Sequence, residues 1–168
     1  MTIAMQPIYT QTVGAGGVAS ITFNNIPQTF TDLCIKHSAR SSYASVAIYI
    51  GIEFNGVTTG YSGRDLYGTG SAVASRALVT TFGPVISGAS ATSNTFGNGD
   101  FYIPNYTGSS FKSFISDSVS ENNATLSFTA LDAFLWSNTA AITSVKLTPE
   151  LGNLVQYSTF TLYGITKG

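Results

Sequence analysis

At 168 residues the chain has the length of one domain, and a chain of that size buries about 70% of its unfolded surface. It carries 7 Lys+Arg, 8 Asp+Glu and one His, so only 9% of it is charged, against about 25% in an average soluble protein. With mean hydropathy +0.21 and net charge −1 it is not a disordered chain, and one Cys excludes an intrachain disulfide or a multi-Cys metal site.

Along the chain, short runs of β-branched and aromatic residues alternate with Gly, Asn and Ser clusters, and helical periodicity is absent. That pattern predicts an all-β jelly-roll or Greek-key sandwich of about ten strands with little or no helix. Residues 1–7 read either as an extended N-terminal arm or as a frayed end. A strand over 8–13 is expected to turn through the glycines at 14, 16 and 17 and return over 18–23. The next strand spans 33–40, with Leu33, Ile35 and His37 on one face and Lys36, Ser38 and Arg40 on the other. A hairpin loop over 41–45 leads to 46–54, where Ile48, Ile50, Ile52 and Phe54 give the clearest period of two. Asn55-Gly56 is a strong turn dipeptide. Strands are expected at 61–69 and 76–82, a long loop at 84–94, then strands at 96–103, 111–119 and 125–136, the last either one long strand or two strands broken near Asp132. The final two span 142–147 and 155–165. In 155–165 both faces carry apolar residues, so that strand is expected to be covered on both sides.

Chemistry is sparse. His37 is the only histidine and shares a face with Leu33 and Ile35, which suits a satisfied, partly buried imidazole rather than a general base. The carboxylates Asp32, Glu53, Asp65, Asp100, Asp117, Glu121, Asp132 and Glu150 are scattered; Glu53 with Asp100 or Asp117 on one exposed face is the nearest approach to a facing pair. Asn98-Gly99-Asp100 lacks the further ligands of a calcium loop. The early glycines are not followed by Gly-Lys-Ser/Thr, so they are turn glycines and not a phosphate loop. Lys and Arg form no basic stripe, so nucleic acid is not an expected partner. Cys34 lies in an apolar run and reads as a small buried hydrophobe. No apolar run approaches the ~20 residues of a membrane span, and the opening MTIAMQPIYTQTV lacks the basic and apolar regions of a leader. Production in a reducing cytoplasm, with no enzyme activity, cofactor or metal, is the expectation.

A near-neutral surface has little repulsion against its own copies, and interface cores are poor in charge and rich in Tyr, Trp and Phe. The chain has 9 Tyr and 11 Phe, a composition suited to a subunit of an assembly. The candidate contact residues are Tyr9, Phe30, Tyr43, Tyr61, Tyr67 and Tyr106; Tyr9, Phe30 and residues 14–17 are expected at one end of the sandwich. The competing reading is a carbohydrate-binding module that stacks sugars on Tyr43, Tyr61, Tyr67, Tyr106 and Trp136, although Trp136 follows an apolar strand and reads equally as a buried anchor. A flat exposed row of rings would favour sugar, rings in subunit contacts assembly.

The segments TVGAGGVASITFNNIPQTFTDLCIKHSARS, YIGIEFNG, YSGRDLYGTGS, NTFGNGDFYIPNYTGSSFKSFISDSVSENNAT and LWSNTAAITSVKLTPELGNLVQYSTFTLYGI occur in this order. As a set, this chain resembles small virion structural proteins of tailed phages, of the kind found in cyanobacterial and marine phages; residues 73–94 lie outside the resemblance. The resemblance implies a capsid decoration (cement) protein, a homotrimer at three-fold sites on the outside of the head that binds the major capsid protein and stabilises the expanded shell. A tail-fibre or baseplate component is the alternative it leaves open. It brings no catalytic residue with it.

Overall fold

A computed structural model of the chain describes residues 5–78, 80–123 and 126–166. Among them are twelve strands and no helix: β1 (Met5–Thr12), β2 (Ile21–Phe23), β3 (Asp32–Ala39), β4 (Ala47–Phe54), β5 (Tyr61–Gly68), β6 (Val73–Leu78), β7 (Val85–Ser87), β8 (Gly97–Ile103), β9 (Lys112–Ser120), β10 (Phe128–Trp136), β11 (Val145–Pro149) and β12 (Thr159–Ile165). They form two antiparallel sheets, ordered β1-β12-β3-β8-β9-β10-β5-β6 and β2-β11-β4-β7, packed as a sandwich. The chain passes back and forth between the sheets and closes nested pairs, β1 with β12, β2 with β11 and β4 with β7, in jelly-roll manner.

The clearest sequence signal sits at the centre of the fold. Ile48, Ile50, Ile52 and Phe54 all point inward and are at most 5% exposed. Phe54 meets Phe114 and Trp136 edge to face at 5.1 and 5.4 Å, and Tyr61 stacks on Trp136 at 6.0 Å. Such ring pairs add stability beyond their buried area. Asn55 (φ 54°) and Gly56 (φ 70°) make the left-handed turn their dipeptide predicts, with the Val57 N–H donating to the Phe54 carbonyl. The Asn55 Oδ1 also accepts from the backbone N–H of Thr143 (2.8 Å) and Ser144 (3.1 Å), which ties the turn to the approach of β11.

Several expectations are corrected. The turn at residues 14–17 does not close a hairpin: β1 pairs with β12 while β2 joins the other sheet. The loop over 41–45 likewise carries the chain between sheets, since β3 lies between β12 and β8 whereas β4 lies between β11 and β7. β6 starts three residues before the expected position. Of the two readings of 125–136 the single strand holds, since β10 runs through Asp132 in unbroken register with β9. Met5, Gln6 and Pro7 are no free arm, being paired with Ile165, Gly164 and Tyr163, and residues 1–4 lie outside those described. β12 is covered on one side only: Phe160 and Leu162 are fully buried, but Thr159, Thr161, Tyr163 and Ile165 remain half-exposed.

The strand that the sequence conceals is β7, inside the expected loop over 84–94. It lies against the inner face of the large sheet, and this reverses the usual hydrophobic pattern there. Ser116, Ser118 and Ser120 of β9 point inward and are buried. The Ser118 hydroxyl accepts from the Val85 N–H at 2.9 Å, and the Ser87 and Ser120 hydroxyls lie 3.1 Å apart. A buried backbone donor needs a partner, and here serines supply it. Backbone approaches backbone so closely that a Cβ on Gly97 would lie 2.7 Å from Ile86 Cα. Gly97→Ala is therefore expected to cost about 1–3 kcal/mol in urea unfolding; an unchanged midpoint would contradict this sheet-to-sheet contact.

Candidate assembly surface

The outer face of the large sheet changes character from one side to the other. Cross-strand register aligns Lys36, Asp100, Asp117, Leu131, Leu66 and Ser75 in one row over β3, β8, β9, β10, β5 and β6. The β3–β8 end is polar: the Lys36 ammonium donates to the Asp100 carboxylate at 2.8 Å. Asp117 stands beside Asp100, and partial burial together with that neighbouring charge raises its carboxyl above the ordinary range.

The other end is aliphatic. Flanking rows add Ile115 and Ala133 on one side and Val119, Thr129 and Val73 on the other. Ile115 (49% exposed), Val119 (42%), Leu131 (53%), Leu66 (50%) and Val73 (77%) thus form one patch over four adjacent strands. A shallow depression of about 380 Å³ lies among Leu66, Ile115, Leu131 and Ala133, rimmed by Arg64. The patch follows from the inversion on β9: serines serve β7 on the inner side, so the apolar residues between them face out.

The aromatic residues singled out from the sequence mostly lie elsewhere. Tyr106 is fully buried and its hydroxyl donates to the Pro27 carbonyl, so it belongs to the core rather than to a contact surface. Tyr61 is half-buried; its hydroxyl accepts from the Phe54 N–H at 2.8 Å, and burial pushes its pKa up to about 12. Tyr67 is half-buried beneath the Arg76 guanidinium, 5.2 Å from its ring. Phe30 packs over Gly164. Tyr9 is exposed, stacks on Phe23 at 6.2 Å and donates to the Asn25 carbonyl at 3.4 Å. Tyr43 is exposed in the loop after β3. Residues 14–17 and Phe30 do not share an end, because Gly17 lies against Leu154, before β12, and Phe30 lies over Gly164 at its far end. Trp136 is fully buried, so the proposed sugar platform reduces to Tyr43 among its candidates.

The titratable groups that the sequence singled out for chemistry are scattered through the fold. His37 is buried between Phe101 and Phe160, with neither ring nitrogen hydrogen-bonded, so it is a core histidine but not a satisfied one. Glu53 lies in the small sheet with Lys146, 3.4 Å away, and shares no face with Asp100 or Asp117. Asp65 and Asp132 are opposite each other on the inner face of β5 and β10. Asp65 binds the Arg76 Nε at 2.7 Å, and Asp132 accepts from the Ser116 hydroxyl at 2.7 Å. Cys34 is buried, and burial first, then Asp100, raises its thiol to about 11. Among the described residues no three His, Cys, Asp or Glu side chains gather to hold a metal. Among the described residues Arg40 pairs with no carboxylate: its two terminal nitrogens donate to the carbonyls of Thr92 (2.9 Å), Thr95 (2.9 Å), Ala89 (3.1 Å) and Ala91 (2.9 Å).

Fold and surface together define a β-sandwich whose larger sheet has a half-apolar outer face. No protein-family model and no curated protein matches the chain.

Proposed function

We propose that the chain is a non-enzymatic structural subunit of a tailed-phage virion, a capsid decoration protein. In this reading it is assembled in the host cytoplasm and sits as a trimer at three-fold sites outside the head, bound to the major capsid protein. The observation that carries the reading is the aliphatic patch of Ile115, Val119, Leu131, Leu66 and Val73 in a chain that is only 9% charged. Contiguous apolar patches on soluble proteins rarely exceed a few hundred Å² and often mark an interaction site. A clamp on a shell needs such contact area and no catalysis, and the resemblance of the ordered segments supplies the particle. The sugar-binding reading is weaker, because Tyr43 alone among its candidate rings is exposed and a single ring makes no row.

The test is the copy number of the chain in purified virions, by quantitative mass spectrometry against the major capsid protein. A comparable number is expected. A handful per particle would move the chain to the tail, and absence from virions would overturn the structural reading. Leu66→Asp with Leu131→Asp should abolish binding to expanded heads while the isolated domain stays folded, since both side chains are about half exposed.

A further inference from the structure

The sandwich has four edge strands: β1 and β6 in the large sheet, β2 and β7 in the small one. An exposed edge is a template for pairing with another strand, and proteins blunt such edges. β1 contains Pro7, which has no N–H, and its register shifts between Pro7 and Tyr9. β2 has three residues, and the Gln11 side chain donates to its Thr22 carbonyl at 3.1 Å. β7 has three residues, all buried, with its Val85 N–H bound to Ser118. β6 has none of these devices. It runs six residues without Pro, Lys or a register shift, and among the described residues nothing beyond β5 hydrogen-bonds to its backbone.

The free groups on this edge follow from the hairpin. The Thr69 N–H donates to the Ala72 carbonyl at 3.0 Å, so these two form a bonded pair. Bonded and non-bonded pairs alternate along an antiparallel ladder. With Tyr67 opposite Ala74 and Asp65 opposite Arg76, the groups of Ala74, Arg76 and Leu78 turn toward β5. The N–H and C=O of Val73, Ser75 and Ala77 turn outward.

We infer that the β6 edge is a homotypic seam, where two copies of this chain pair β6 to β6, antiparallel, about a two-fold axis through Ser75. Val73 then faces Ala77 of the second copy and Ser75 faces Ser75, each pair exchanging two N–H···O bonds. The sequence is self-complementary in this register. It sets Arg76 opposite the small Ala74, while the register centred on Arg76 would oppose two guanidinium groups. Arg76 is already neutralised by Asp65 and capped by the rings of Tyr49 and Tyr67 at 4.7 and 5.2 Å. Across the seam the aliphatic strip of Leu131, Leu66 and Val73 continues into its copy. A six-residue seam buries less than the roughly 800 Å² per partner of a standard interface, so pairing is weak in dilute solution and strengthens where copies are crowded. The seam is a property of the chain itself and stands whichever particle carries it.

Ser75→Cys tests it in the purified chain. Opposed bonded pairs have Cα atoms about 5.5 Å apart, within reach of a short thiol-to-thiol cross-linker, and the native Cys34 is buried. At high protein concentration Ser75→Cys is expected to form covalent dimer at least tenfold faster than Ser62→Cys, an exposed outer-face control away from the edge. Adding Ala77→Pro removes one outward donor without touching a β5 bond and should return the rate to that of the control. Equal rates for Ser75→Cys and Ser62→Cys would overturn the seam even if the proline variant fails to fold. Undiminished cross-linking in a folded proline variant would overturn it as well.

Discussion

Ile50→Asp is expected to abolish the cooperative fold at 25 °C. Ile50 is fully buried in the middle of β4, opposite Pro149 of β11, and its own N–H is committed to the Pro84 carbonyl at 2.8 Å. Its neighbours along the inward face of β4, Ile48, Ile52 and Phe54, are buried and apolar, so the new carboxylate would have to enter the core unpaired or protonated. Losing the isoleucine alone costs about 2–5 kcal/mol, and burying an unpaired carboxyl adds several more. A domain of this kind has only about 5–15 kcal/mol in total. Loss of near-UV circular dichroism and of a sigmoidal urea transition is the expected result. A soluble variant with the wild-type near-UV spectrum would show that the inward face of β4 is wrongly placed.

The second large effect is a pair of opposed pH dependences. Burial between two phenyl rings lowers the His37 pKa from 6.5 to about 4, with Asp100 pulling weakly the other way. The unfolded chain therefore takes up this proton first, and the stabilisation is present above pH 6.5 and lost as pH falls toward 4. At ~1.4 kcal/mol per pH unit this amounts to about 3 kcal/mol. Asp132 does the reverse. Burial, then the Asp65 charge, raises its pKa from 3.8 to about 6 against the lowering effects of Ser116 and Arg76. The folded state holds that proton more tightly, so its contribution is complete below pH 3.8 and lost as pH rises through 6. In the wild type the two slopes oppose each other between pH 4 and 6, which gives a flat profile. Asp132→Asn is expected to raise stability at pH 7.5 by about 2 kcal/mol and to expose the histidine slope, with stability climbing from pH 4 to 6.5. His37→Phe should expose the opposite slope. Urea midpoints at several pH values check both, and profiles of both variants parallel to the wild type would refute the account.

These groups show how far the sequence could be read. Alternation located most strands, because Ile48 to Phe54 and the rows of β9 and β10 follow the pleat closely. Connectivity was not legible in the same way. A turn that crosses between sheets carries the same Gly, Asn and Ser signals as a hairpin, so residues 14–17 and 41–45 suggested pairings that the sandwich does not make. β7 escaped because three residues cannot display a period. That omission also hid the contact face: without β7 nothing explains why Ser116, Ser118 and Ser120 lie inside, and Ile115 and Val119 then look like core. The choice of aromatics as contacts failed for Tyr106 for a related reason, since large rings fill a wide interior before they serve a surface; Trp136 is the buried anchor that the apolar strand before it suggested. His37 was legible as a core residue, but its unpartnered nitrogens were not.

The grip of Arg40 on the loop after β7 has a consequence for how this molecule can change over time. The guanidinium holds four main-chain oxygens, at Ala89, Ala91, Thr92 and Thr95, and depends on side-chain chemistry in the loop only through a longer contact to the Thr95 hydroxyl at 3.3 Å. Every amino acid offers a carbonyl, so the contour of that rim is written at the end of β3, far away in sequence, while its lettering is left open. One end of the sandwich is thereby a fixed frame on which new surface character can be tried without remaking the fold.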